Sequence, residues 1–261
     1  MTQAARLWIK QFGLQRSGTN LAKAILETSC AQVRVLSLLL GDKHHQPDIA
    51  SAAARARLGD IGTAVTDLDS DDIRAMCDAV DDGSLKILVC VREPITWMDS
   101  YVRYERRSTG RSTEPLDRSR LEALARHWTR WHLDLHRWCA DSRWASAWVV
   151  HHEVVRDPQV LTSIATTWGA QCETPPERLG YLARGGDEHG STYIGQRGYR
   201  AAQYRQVHGG EGLIGSADIP WTLELLDALD PERVLTRWRW DSSVRIRQRP
   251  KPSTPDAGTT G

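Results

Sequence analysis

Apolar residues fall along this chain in two rhythms. The clearest is the continuous run "LKILVCV" (85–91), which predicts a strand buried on both faces of a parallel sheet. "RLWIKQF" (6–12) reads as a first strand closing at Gly13. "VRVLSLLL" (33–40), stopped by Gly41, reads as a second, and "SAWVVH" (146–151) as a further one. Between them the spacing turns helical. Leu21, Ala24, Ile25 and Thr28 share one face of a helix over 19–28. Residues 48–60 are Ala/Arg-rich and also read as helix. Ser70, before an acidic first turn, and Gly83 bracket another, and a helix starts near Pro94. Leu121, Leu124, Ala125, Trp128, Trp131, Leu135 and Trp138 mark the buried stripe of a long helix. Residues 157–169 read as a helix with Asp157 as N-cap, Pro158 in its first turn and Gly169 as its stop. Strands alternating with helices predict one α/β domain over residues 1–246, built on a mainly parallel, doubly wound sheet. The Pro/Gly/Ser/Thr-rich end, 247–261, is expected to be a disordered tail.

Length and charge narrow the possible functions. The 261 residues suit one domain of ordinary size, and the net charge of +1 gives no bulk attraction for nucleic acid or an anionic membrane. No apolar run approaches the roughly 20 residues of a membrane span. "MTQAARLWIKQFG" lacks a signal-peptide pattern. Cys30, Cys77, Cys90, Cys139 and Cys172 are odd in number and widely spaced, which predicts neither a disulfide framework nor a zinc knuckle. A reducing cytoplasm is the expected compartment, with Cys90 a small core residue. Eleven Trp accompany a single Phe, and those on the long helix are expected in the core.

The candidate chemistry begins at "FGLQRSGTNLAKAIL" (12–26). Strand, glycine-framed turn and helix form an anion-binding arrangement, because turn N–H groups and the helix dipole converge on one point. Gly13 and Gly18 have the spacing of a phosphate loop, and Arg16 adds a guanidinium suited to phosphate or sulfate oxygens. Nucleotide hydrolysis on such a loop uses a Lys and then a Ser or Thr that binds Mg²⁺. Thr19 and Asn20 stand there, which disfavours a metal-dependent nucleotide hydrolase and favours a donor that needs no metal.

"QRSGTN" (15–20) resembles the 5′-phosphosulfate loop of PAPS-dependent sulfotransferases, where Pro and then Lys or Arg precede Ser-Gly-Thr-Thr. "KILVCVREPITWMDSYVRY" (86–104) is similar to that family's 3′-phosphate segment, and "KHHQP" (43–47) to its Lys-Thr-His-Leu-Pro. "HHEVVRDPQVLTSIATTWG" (151–169) is similar to its Tyr-Glu-Asp-Leu stretch and following helix, and "GQRGYR" (195–200) to its late Arg-Lys-Gly loop. The resemblance spans about residues 6–169. It implies a sulfotransferase-like P-loop fold that moves a sulfuryl group from PAPS to a hydroxyl or amine of a small molecule or carbohydrate. PAP is then the product, and no metal is required. It implies Arg16, Ser17, Gly18, Thr19, Asn20, Arg92, Ser100 and Arg197, with Gly198 beside it, as nucleotide-binding residues. His45 is the implied base, with Lys43 near the transferring group and Arg16 neutralising the leaving phosphate. The chain departs from the family at Asn20, at Leu21 where an adenine-stacking Trp is usual, and in the spacing around "KHHQP".

Alternatives remain open beside this reading. One is a P-loop nucleotide or small-molecule kinase, and another is a domain that binds nucleotide without turnover. Asp42, His44 and Glu153 are the other candidates for the base, although Glu153 also reads as a packing or capping carboxylate. His132 and His136, four apart, read as polar-face histidines rather than a metal pair. His151 and His152 read mainly as structural. The charged stretch 103–120 reads as an exposed loop or as an acceptor-site lid.

Overall fold

A computed structural model describes residues 6–36, 40–47, 70–109, 116–175, 213–214, 217–235 and 245–247. Four strands run parallel: β1 (Leu7–Phe12), β2 (Val33–Leu36), β3 (Lys86–Val91) and β4 (Ala145–Val150). A short fifth, β5 (Arg245–Arg247), pairs antiparallel with β4, and the sheet order is β2-β1-β3-β4-β5. The helices are α1 (Thr19–Ser29), α2 (Ser70–Asp82), α3 (Pro94–Thr109), α4 (Arg118–Asp141), α5 (His151–Arg156), α6 (Gln159–Thr167) and α7 (Asp218–Leu229).

Alternation along the strands explains the layering. Successive side chains point to opposite faces, so a strand covered on both sides must be apolar throughout. Trp8 and Phe12, with Ile87, Val89, Val91 and Trp148, look toward the core that contains α2, α3, α4 and α7. Ile9, with Leu88, Cys90, Ala147 and Val149, looks toward α1, α5 and α6. Helices thus cover both faces of a mainly parallel α/β sheet, as expected of a doubly wound architecture. The chain winds from β1 to β2 in one direction and continues through β3 and β4 in the other. The point of reversal lies between β1 and β3. Ligand crevices of open α/β sheets form there, outside the carboxyl ends of the strands.

Several boundaries differ from expectation. β2 ends at Leu36, and Leu40 already has a left-handed φ of 56°. His151 opens α5 instead of closing β4. The helix foreseen over 157–169 is α6, Gln159–Thr167, and a short helix not foreseen, α5, precedes it, with Asp157 Oδ1 accepting from the Gln159 amide (3.0 Å) at their junction. The stretch 103–120 is not one loop: residues through Thr109 extend α3, and α4 begins at Arg118 with Asp117 as its N-cap. Its charges are helical partners. Asp99 pairs with Arg103 four residues on, and Arg120 forks onto both Glu105 oxygens (2.8 and 2.7 Å), joining α3 to α4. Arg247, assigned to the tail, is the last residue of β5. The helix expected over 48–60 and residues 248–261 lie outside the described residues.

The cysteine expectation is overturned outright. Cys30, just past α1, forms a disulfide with Cys172, beyond α6, across 142 residues of sequence. Ser29 O also accepts from the Glu173 amide (2.8 Å), so the segment after α6 is fastened to the end of α1. The spacing of the cysteines carries no trace of a contact made only when α1 and α6 pack side by side. With this bond, the cysteines no longer argue for a reducing compartment. Among the described residues no helix is long and apolar enough to cross a membrane. A crosslink closing so long a loop typically contributes about 2–4 kcal/mol. Full reduction is expected to lower the melting temperature by roughly 5–15 °C. Thiol titration alongside the melt checks this, and an unchanged melt of fully reduced protein counts against the crosslink.

Candidate functional site

The loop joining β1 to α1 takes its form from two glycines with different duties. A side chain at Gly13 would overlap Ser17 Oγ and come within 2.7 Å of Cys90 O, so this glycine answers to space. Gly18 has φ +92°, and a Cβ there would overlap Cδ2 of His151. Its left-handed conformation starts α1 and turns the loop amides inward. Arg16 is also left-handed, at φ 74°, which is uncommon for a residue with a side chain. Its neighbours hold it there. Gln15 O accepts from Trp97 Nε1 (2.9 Å), Arg16 O from Arg92 Nη1 (3.3 Å), and the Arg16 guanidinium lies over the Tyr104 ring (5.6 Å).

The Gly41–Pro47 stretch after β2 is sewn to the same loop. The Gly13 amide donates to Lys43 O (2.9 Å), and His44 Nδ1 donates to Gly13 O (2.7 Å). Lys43 Nζ donates to Asn20 Oδ1 (2.6 Å). Lys43 is buried, so a cation enters the N-terminal turn of α1 from a different part of the chain. An Asx turn, Asp42 Oδ1 accepting from the His44 amide (2.8 Å), shapes the stretch. From below, Lys10 Nζ donates to Gly41 O (2.7 Å). Lys10 is fully buried, and burial pushes its pKa down to about 7.

Arg92 leaves the carboxyl end of β3 across the point of reversal. Only 6% of it is exposed. Among the described residues it forms no ion pair, and its Nε has no hydrogen-bond partner. The nearest carboxylate in sequence is engaged elsewhere: Glu93 pairs with His152 and accepts from Thr96 Oγ1 (2.9 Å). Ser17 Oγ, 1% exposed as a residue, is likewise buried without a partner. Buried polar groups are normally paired, and a buried charge nearly always is. Two orphaned groups beside one helix N-terminus therefore mark where an anion fits.

Of the residues expected from sequence, Arg16, Ser17, Gly18, Thr19, Asn20, Lys43 and Arg92 come together here. Ser100 is buried on α3. His45 is exposed, and its one hydrogen bond among the described residues runs from its own amide to Asp42 O (3.1 Å). Arg197 and Gly198 lie outside the described residues. His151 is buried with its ring against Gly18, a contact foreshadowed only by its place at a strand end. His132 corrects the polar-face expectation: it is 1% exposed, amid the rings of Trp128 (4.3 Å), Trp131 (4.9 Å) and Trp148 (6.4 Å). No group of three metal-ligating side chains forms among the described residues. Lys10 was legible in part, because it shares the inward register of Trp8 and Phe12.

Fold and site together define an α/β protein with an anion-ready loop at the reversal point of its sheet. Comparison with known protein families, curated proteins and solved structures finds no match in any of the three.

Proposed function

We propose that this protein is a PAPS-dependent sulfotransferase acting on a hydroxyl or amine of a small molecule or carbohydrate. The observation that carries the reading is Arg92, a buried guanidinium with no carboxylate partner among the described residues, held against the loop that ends β1. A nucleotide anion at this place supplies the missing counter-charge. PAPS, when bound, supplies an activated sulfuryl group whose leaving group is a phosphate. The amides of Gly18 and Thr19 and the Arg16 guanidinium would neutralise charge gathering on that phosphate, while the Ser17 amide, which donates to Leu14 O (2.9 Å), closes the loop. Lys43 adds a fixed cation beside Asn20. Positioning and charge neutralisation of this kind account for most of the catalysis in the related phosphoryl transfers.

The kinase alternative meets a specific obstacle. Asn20 occupies the position of the Mg²⁺-binding hydroxyl, and its oxygen already accepts from a lysine ammonium at 2.6 Å. A dication at that point faces direct repulsion.

PAP is expected to raise the melting temperature in the absence of Mg²⁺, because a ligand that binds only the folded state stabilises it by mass action. At about 100 times its dissociation constant the gain is about 2.7 kcal/mol, or several degrees for a chain of this size. ADP is expected to do much less, since it lacks the 3′-phosphate. Equal shifts from the two nucleotides, or a shift that needs Mg²⁺, would turn the reading toward a kinase. A full PAP shift with no product from a broad acceptor panel would favour a binding protein.

A further inference from the structure

We infer that Lys10 is a positioning residue of the proposed transfer, and that its buried amine takes up a proton when the phosphate of the donor binds. The inference rests on the sulfotransferase reading and concerns a residue outside the motifs that carry it. Lys10 lies on the core face of β1, with Trp8 and Phe12 on either side of it along the strand. It is 0% exposed, and its partners in register on the neighbouring strands, Leu36 and Ile87, are apolar. A lysine is almost never fully buried unless its end group is engaged. Here the amine reaches the start of the turn after β2. Nζ donates to Gly41 O (2.7 Å) and lies 4.6 Å from the centre of the Phe12 ring. Two residues on, Lys43 O accepts from the Gly13 amide (2.9 Å), and Lys43 Nζ donates to Asn20 Oδ1 (2.6 Å). Lys10 thus holds the turn that brings a second amine to the N-terminus of α1.

The charge on Lys10 stands between opposing influences. Loss of water and the positive charge of Lys43 favour the neutral amine, whereas the Asp42 carboxylate and the face of the Phe12 ring favour the ammonium. Burial is the largest of these and brings the pKa to about 7, so the amine is mostly neutral at pH 8. Either form can donate to Gly41 O. An anion seated on the loop adds negative charge close to Lys43. It attracts a proton to Lys10 and offsets the repulsion from Lys43, and both effects move Lys10 toward the ammonium. By linkage, a protein that gains a proton on binding binds more weakly as pH rises. Affinity for the donor nucleotide therefore falls above pH 7.

The test uses the full chain and PAP at pH 8, where the phosphates of PAP are already ionised. Calorimetric titration in Tris and in Bicine, which differ in heat of ionisation and carry no phosphate or sulfonate, reads the protons taken up per PAP bound. Wild type is expected to take up about 0.4 of a proton or more, and its affinity to fall about fivefold or more from pH 7 to 9. Lys10→Gln keeps an amide donor but no titrating group. It is expected to lose most of that uptake, with affinity changing less than about twofold over the same range. A second readout needs no variant at Lys10. The chain holds five lysines, so ¹³Cε NMR of lysine-labelled protein resolves them, and Lys→Arg changes at the other four assign Lys10 by elimination. Its signal is expected to titrate near neutrality in the free protein and at least about one pH unit higher with PAP bound. A Lys10 that only supports the fold would lower the melting temperature of Lys10→Gln and leave the proton count unchanged, which overturns the inference. So does a Lys10 signal that stays charged to pH 9 in the free protein, or that PAP does not move. PAP binding without proton uptake overturns the inference alone. Failure of wild type to bind PAP overturns the sulfotransferase reading, and the inference falls with it.

Discussion

Replacing Arg92 with methionine is expected to stabilise the ligand-free protein and, in the same molecule, to weaken PAP binding by about ten- to a hundredfold. The two effects have one origin. The guanidinium is taken out of water at 6% exposure, and the described residues return only one long hydrogen bond, 3.3 Å to Arg16 O. Desolvating a charge costs several kcal/mol, and exchanging a poorly compensated buried charge for an apolar group is often neutral or stabilising by about 1–4 kcal/mol. Methionine suits the exchange because its flexible, unbranched side chain fills irregular space. The backbone carbonyl of Arg92, which accepts from Trp128 Nε1 (3.0 Å), is untouched. At about 2–4 °C per kcal/mol, the melting temperature should rise by a few degrees or more. Binding should suffer because a charge-assisted hydrogen bond contributes about 1.5–3 kcal/mol. Thermal unfolding with and without PAP reads both arms at once. A variant that is less stable without ligand would show that Arg92 serves the fold. A variant that binds PAP as well as wild type would remove the residue from the site.

The second large effect is acid lability centred on His132. Burial holds its pKa down to about 3, against an ordinary value of 6.5, with the hydrogen bond from Nδ1 to Trp128 O (2.7 Å) opposing the shift in part. Between those values the unfolded chain carries a proton that the folded chain refuses. Stability therefore rises with pH across that window and is lost as pH falls from about 6.5 toward 3. A shift of this size corresponds to up to about 5 kcal/mol over the window. His132→Phe keeps an aromatic ring among Trp128, Trp131 and Trp148 but cannot take up the proton. Its stability at pH 7 is expected to fall by about 1–3 kcal/mol from imperfect packing. Its stability at pH 4 should compare far better with wild type. Denaturant unfolding from pH 4 to 7.5 checks this through the difference between the two proteins, which cancels the shared titration of the carboxylates. Parallel stability curves would show that His132 does not titrate as its burial requires.

Lys10 works in the same direction on the alkaline side. Its folded pKa near 7 lies below the ordinary 10.5, so its share of stability also grows as pH rises from 7. Cys90 opposes this above pH 9, because burial pushes its thiol up to about 12 and the unfolded chain loses that proton first.

What the sequence determined by itself is local. Continuous apolar runs mark strands covered on both faces, and "LKILVCV" becomes β3 with an error of one residue. The loop after β1 was legible because two glycines at fixed spacing answer to sterics and φ within a few residues. Arg92 was singled out through the resemblance of "KILVCVREPITWMDSYVRY" to a phosphate-binding segment, not through its own position in the pattern. What only the tertiary structure decided depends on segments far apart in the chain. Whether His44 or His45 meets the loop turns on how the Gly41–Pro47 stretch docks against Gly13, and periodicity does not resolve a shift of one residue. His132 is core rather than surface because Trp148 of β4 packs beside the apolar stripe of α4. Cys30 and Cys172 meet because α1 and α6 share one face of the sheet, bringing together residues 142 apart. Arg92 has no carboxylate partner among the described residues, and Glu93, next to it in sequence, is turned toward His152. Short-range sterics and hydrophobic burial write themselves into neighbouring residues. Charge pairing across the sheet is decided only once the strands have found their order.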